Sequence, residues 1–173
     1  MSEKIHISEP ILLCDTREQA PLCFRHLRSS RATLDTGDYS LQSLTEEVCI
    51  ERKSLPDLLN SLTHERARFL REIQRMLAYR LRLLLIVGTA SELHLLLQRR
   101  RVTLESIAGS LSAIEARGVP VEVLANPEQA AERVESLALF AWREKWKGVV
   151  KIEVPSWARS YMKRKMGDER RVQ

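Results

Sequence analysis

The stretch Val48-Cys49-Ile50-Glu51-Arg52-Lys53-Ser54-Leu55-Pro56-Asp57 decides how this chain is read. Three apolar residues run without a break into a charged triplet. Ser54 then stands at an N-cap position, Pro56 fits a first helical turn, and Leu55, Leu58, Leu59 and Leu62 recur at helical spacing. The reading is a short buried strand that turns directly into a helix. Side chains alternate along a strand, so Cys49, Glu51 and Lys53 share one face while Ile50 and Arg52 take the other. A carboxylate and an ammonium thus project side by side at the strand's end. An E-x-K triplet also describes an ordinary surface ion pair, so its meaning depends on what the rest of the chain brings to it.

Upstream, Ile11-Leu12-Leu13-Cys14 is an apolar run ending at Asp15, again a strand that delivers an acid at its end. Residues 31–36 and 39–44 read as two further strands around a turn at Gly37, with Asp38 at that turn. Downstream, Phe69, Ile73, Met76 and Leu77 form the apolar stripe of an amphipathic helix from Glu65 to about Arg80, ringed by Arg66, Arg68, Arg71, Glu72 and Arg75. Leu83 to Val87, closed by Gly88, has the unbroken apolar pattern of a central strand covered on both faces. Helical patterns follow at 91–98 and 103–116, then a strand at 119–124 and a long helix from Pro127 to about Trp146. Strands first, then alternating helix and strand, imply an α/β fold: a mixed central sheet flanked by helices.

Asp15, Asp38 and Glu51 come from distant positions, yet this topology allows them to meet at one sheet edge. Clustered carboxylates call for a cation. An oxygen-only donor set without His or Cys suits Mg²⁺ first and Mn²⁺ second. Such an ion favours phosphate chemistry, with Lys53 placed to orient a water or to stabilise developing charge.

Together, DTREQ at 15–19, GDYS at 37–40 and IERKS at 50–54 with Asp57 resemble the GD…ERKxxxD signature of the XPF family of structure-specific endonucleases, a branch of the PD-(D/E)xK nucleases. The similarity runs over about residues 10–145. It implies a restriction-endonuclease-like fold and a Mg²⁺-dependent endonuclease acting on branched, flap or fork DNA in repair, recombination or DNA processing. By this resemblance Asp15, Asp38 and Glu51 correspond to metal-binding acids, and the Arg52 carbonyl to a further ligand. Lys53 corresponds to the catalytic lysine, Glu18 to an additional acidic member of the site, and Arg52 to a structural or phosphate-facing partner. Arg17 and Arg66 fall where phosphate contacts are implied. Asp57 fits either the signature's last acid or a capping role after Ser54. Family nuclease domains pair through their late helices, which implies a homodimer contact around Leu137, Leu139, Phe140 and Trp142.

Two departures accompany the likeness. The paired hairpin-Gly pattern of tandem helix-hairpin-helix modules does not follow residue 145, which points to a separate DNA-targeting partner. Twelve residues separate Asp38 from Glu51, a longer hairpin than the family minimum.

The 173 residues carry a net charge of +5, and residues 151–173 hold seven Lys/Arg against three Asp/Glu, so most of the excess lies at the C-terminal end. We divide the chain into a nuclease-type domain, 1–148, and a basic, poorly packed tail, 149–173. Lys163, Arg164 and Lys165, and less strongly Arg99-Arg100-Arg101, are candidates to neutralise DNA phosphates. Three cysteines without a CxxC pair argue against a disulfide framework or zinc site. The first ten residues hold no apolar signal segment, and Leu83 to Val87 is too short to span a bilayer. An intracellular protein without membrane association is expected. The competing readings are a catalytically silent DNA-binding or scaffold subunit, a kind that tends to lose the acids, and, within the enzyme class, a restriction-like or Holliday-junction nuclease on the same core.

Overall fold

The computed structural model describes residues 9–98, 100, 102–149 and 153–169, with side chains to residue 164. Its sheet has the order β2-β1-β3-β4-β5-β6. Strand β1 is Ile11–Asp15, β2 Arg28–Ala32, β3 Tyr39–Leu41, β4 Val48–Ser54, β5 Leu81–Val87 and β6 Val121–Leu124. The sheet is mixed as expected: β1 runs parallel to β2 and antiparallel to β3, β3 antiparallel to β4, and β4, β5 and β6 are mutually parallel.

Strand alternation divides the interior into two cores. Val48 and Ile50 of β4, with Leu83 and Leu85 of β5, pack beneath helix α5, Pro127–Lys145. Cys49, Leu84 and Ile86 face the other way, against α1 (Leu55–Leu62), α2 (Arg66–Met76) and α4 (Leu104–Ala116). Leu84, Leu85 and Ile86 are fully buried, each contributing about 1.5–3 kcal/mol by leaving water. The continuous apolar run of β5 is therefore explained by cover on both faces. Helix starts follow local chemistry. Ser54 caps α1, Thr89 and Glu92 form a capping box on α3 (Ala90–Leu97), and Asn126 caps α5 ahead of Pro127.

The expected hairpin around Gly37 is not formed. Residues 33–38 form a loop, and β2 lies earlier, at the sheet edge, as a parallel neighbour of β1. Its sequence, RSSRA, is almost wholly exposed, so no apolar alternation announces it; backbone pairing with β1 alone makes it a strand. The Asp38 to Glu51 connection is short in strand terms, because β3 has three residues and pairs with β4 only through Tyr39 opposite Ile50.

The C-terminal stretch also departs from the sequence reading. Ser156–Glu169 forms a helix, α6, whose Ala158 is completely buried and whose Arg164 reaches Glu132 of α5 at 2.9 Å. Trp157 stacks flat on His26, ring centroids 4.5 Å apart. A small residue and one aromatic suffice to dock a helix whose charged residues hide the pattern. The expected pairing surface is correspondingly reduced: Leu139 and Trp142 are buried within the chain, and Leu137 and Phe140 are half-buried. Of the basic runs, Arg99, Arg101 and the Lys165 side chain lie outside the described residues, while Lys163 and Arg164 are exposed. Among the described residues no helix is long and apolar enough to cross a membrane.

Candidate active site

The end of β4 lies between the end of β1, the Gly37 turn and the two helices that follow. Gly37 adopts φ +82°, and a Cβ there would stand 2.7 Å from Cys49 Sγ and 3.0 Å from the Ile50 carbonyl oxygen. Only glycine lets the loop lie this close to β4. Its closeness positions Asp38: the Asp38 N–H donates to the Ile50 carbonyl at 2.9 Å, and its own carbonyl accepts from the Asp15 N–H at 2.8 Å. Asp38 Oδ2 in turn accepts from the Arg52 N–H at 2.8 Å. The acid is thus clamped to both neighbouring strands through their backbones.

Glu51 and Lys53 share the α1/α2 face of β4, as alternation requires. Lys53 Nζ donates to Glu51 Oε1 at 2.8 Å, stands 3.6 Å from Glu72 of α2, and lies over the Phe69 ring at 5.0 Å from its centroid. Burial opposes the Lys53 charge, but Glu51 and Glu72 outweigh it and hold its pKa above the ordinary value. The reverse holds for the acids. Burial first, and then repulsion from Asp38, push Glu51 up to about 8. Burial and the Glu18 charge push Asp38 up to about 6 against the hydrogen bond from the Arg52 N–H.

Asp15 and Glu18 are differently engaged. Asp15 is 1% exposed, and its oxygens accept from the Arg17 N–H at 2.8 Å, Arg17 Nε at 2.7 Å and the Leu34 N–H at 2.7 Å. Burial disfavours the carboxylate, yet these donors prevail and hold it down at about 2. Glu18 receives the Arg52 guanidinium in a two-pronged contact, 3.0 and 3.2 Å, and the Ala20 N–H at 2.8 Å. Arg52 is therefore a structural partner of Glu18. Arg17, 69% exposed, also donates to the Leu34 carbonyl. Asp57 both receives the Ser54 hydroxyl at 2.5 Å and gives its N–H to that oxygen, the capping arrangement.

A cleft of about 410 Å³ is lined by Arg17, Asp38, Glu51, Arg52, Lys53 and Asp57, among others. An adjoining recess of about 250 Å³ shares Arg17, Asp38, Glu51 and Lys53 and adds Asp15. Asp15, Asp38 and Glu51 thus border one recess, but they do not converge as a ready-made cage. Among the described residues no three Asp, Glu, His or Cys side chains do so. The physical reason is that Asp15 and Glu18 are taken up by Arg17 and Leu34 and by Arg52, while Glu51 and Glu72 share Lys53. Asp38 and Glu51 line both cavities as carboxylates raised first by burial and then by a neighbouring acid, Glu18 for Asp38 and Asp38 for Glu51. That donor set fits Mg²⁺, which keeps most of its waters and takes one or two carboxylates together with substrate phosphates.

Arg66 is not part of the cleft. Its guanidinium ties α2 to Leu62 and to Ser110 of α4. Arg68, Glu72, Arg75, Phe69, Gln19 and Asn60 border the site instead. The charged residues of α2 read as a solvated face from sequence. The available signal was that Arg68, Glu72 and Arg75 lie on one side of the helix, next to its buried stripe.

Residues 14–137 match the ERCC4 domain family. Among solved structures, XPF from Aeropyrum pernix in complex with DNA aligns with a TM-score of 0.62 and 20% identity, covering 82% of this chain and 69% of that one. A second structure of XPF from Aeropyrum pernix aligns with a TM-score of 0.63 at 20% identity, covering 84% and 68%. At this identity the likeness speaks for the fold. A comparison with curated proteins gives no match. The family match takes in Asp15, the Gly37 turn, the charged end of β4 and most of α5, and on it the chain belongs to the ERCC4 domain family.

Proposed function

We propose that the chain is a divalent-metal-dependent endonuclease that hydrolyses phosphodiester bonds in DNA, at branched, flap or fork structures, in repair, recombination or DNA processing. The observation that carries this reading is the crowded Asp38–Glu51 pair beside Lys53 in an open cleft. Family membership supports it, and the Aeropyrum pernix protein of the same fold is described in complex with DNA. Asp38, Glu51 and the Arg52 carbonyl would hold Mg²⁺, with Mn²⁺ as a substitute. The ion would supply Lewis-acid polarisation of a phosphoryl oxygen and a more acidic bound water. Lys53, charged and steadied by Glu51, Glu72 and the Phe69 face, orients the attacking water or stabilises charge on the phosphoryl oxygens. Arg17 offers an exposed guanidinium to the DNA backbone. A partner that targets the domain to DNA is the companion reading, since α6 and the core cover much of α5.

Incubation with flap, fork and duplex DNA in the presence of Mg²⁺ tests the proposal. Cutting that stops with chelator supports it; no cutting of any of these in Mg²⁺ or Mn²⁺ would leave the silent-scaffold reading.

The raised carboxyl values give a second expectation. A carboxyl whose pKa is higher folded than unfolded stabilises the protein below its unfolded value, and that stability is lost as pH rises through the folded value. Without metal, the thermal midpoint should therefore fall between pH 5 and 8, the span set by Asp38 near 6 and Glu51 near 8. Mg²⁺ should raise the midpoint by several degrees at pH 8 and hardly at all at pH 5. Calorimetric scans at both values would count against the site if the Mg²⁺ effect were the same at each.

A further inference from the structure

Helix α2 does more than supply the surface beneath Lys53. Glu65, Arg68, Glu72 and Arg75 follow each other at intervals of three and four, so they form one row along the helix. Glu65 and Arg68 border the larger cleft, and Arg68, Glu72 and Arg75 border the recess. The row therefore borders both, and Asp38, Glu51 and Lys53 line both with it. Arg17, which follows β1, borders both as well.

We propose that Arg68 and Arg75 bind backbone phosphates of the cleaved DNA strand on the α2 side of the scissile bond, fixing how the strand lies across the site. Three observations carry this inference, which rests on the nuclease reading above. Residues seven apart on a helix are about 10.5 Å apart along its axis, so the two guanidiniums can meet separate phosphates of one strand. Arg68 is 73% exposed, and its ion pair is with Glu65 on the same helix at 2.8 Å. Exposed pairs of this kind are weak and exchange readily for a bidentate phosphate. Arg75 has no carboxylate at ion-pair distance among the described residues. Glu72, the acid between the two arginines, is turned to Lys53 at 3.6 Å, so its charge is already countered where the strand would pass.

The test is fluorescence-anisotropy binding of a labelled DNA fork from 50 to 300 mM salt, with Ca²⁺ replacing Mg²⁺ to hold the DNA uncut. Wild type, Arg68→Ala, Arg75→Ala and the double variant are compared with Arg71→Ala, which removes from the same helix an exposed charge that lines neither cavity. Each cleft variant should bind about tenfold more weakly near 100 mM salt, and the log–log salt slope should shrink by about 0.9 per arginine removed. In Mg²⁺ the KM for the fork should rise in proportion while kcat stays within about twofold. Arg71→Ala should match wild type in all three measurements. Unchanged affinity and slope in the double variant overturn the proposal, as does an equal loss in Arg71→Ala, which would mark a diffuse charge effect. Wild type that binds no fork DNA, or cuts none in Mg²⁺, overturns the nuclease reading itself.

Discussion

Glu51→Gln is expected to lower Mg²⁺-dependent DNA cleavage about a thousandfold while leaving the thermal midpoint unchanged or higher. The side chain is 5% exposed and its carboxylate sits against Asp38, so without metal the charged form is the costly one. Glutamine keeps the shape, removes the repulsion and still accepts a hydrogen bond from Lys53. Cleavage nevertheless loses one of the two carboxylates able to hold the ion, and with it an electrostatic contribution of the size usually seen when a preorganised group is removed. Lys53→Met should give a comparable loss, since methionine packs over Phe69 but carries no charge. Initial rates at saturating DNA, paired with calorimetry, separate the two effects. Near wild-type cleavage by Glu51→Gln would remove Glu51 from the mechanism.

Asp15→Ala should act in the opposite sense on the fold. It strips a buried acceptor from the N–H groups of Leu34 and Arg17 and from the Arg17 guanidinium. Unsatisfied buried donors cost about 1–3 kcal/mol each. A total near 3 kcal/mol lowers the midpoint of a chain this size by about 6–12 °C. The sign with pH follows from a carboxyl held at about 2 when folded. Its stabilisation is present above the ordinary carboxylate value near 4 and is lost as pH falls through 2. The gap between wild type and Asp15→Ala should accordingly close on acidification from pH 4 to 2. A midpoint unchanged at pH 7 would mean that these hydrogen bonds do not hold the β1–β2 corner together.

These two variants mark where sequence reading succeeds and where it stops. Alternation along β4 places Glu51 and Lys53 on one face, and the apolar run of β5 identifies a strand covered twice; both are local patterns with a direct physical cause. The meeting of Asp15, Asp38 and Glu51 at one recess was also legible, because each stands at a strand end or turn. How their oxygens are used was not. Whether Asp15 is free for metal depends on the N–H of Leu34, nineteen residues away, and the engagement of Glu18 depends on Arg52, thirty-four residues away. Strand β2 stayed hidden because its side chains are polar and only its backbone pairs. Helix α6 stayed hidden because its docking rests on Ala158 and Trp157 rather than on an apolar stripe.

Glu135 of α5 is 1% exposed, and one of its oxygens accepts the N–H groups of His26 and Leu27, at 2.5 and 2.9 Å, just before β2 begins. The consequence concerns order in time. A chain emerging from the ribosome exposes residues 26–32 more than a hundred residues before the acid that anchors them is made, and contacts so distant in sequence are slow to close. The segment that leads into β2 gains this anchor only when α5 arrives. Until then β2 rests on its backbone pairing with β1.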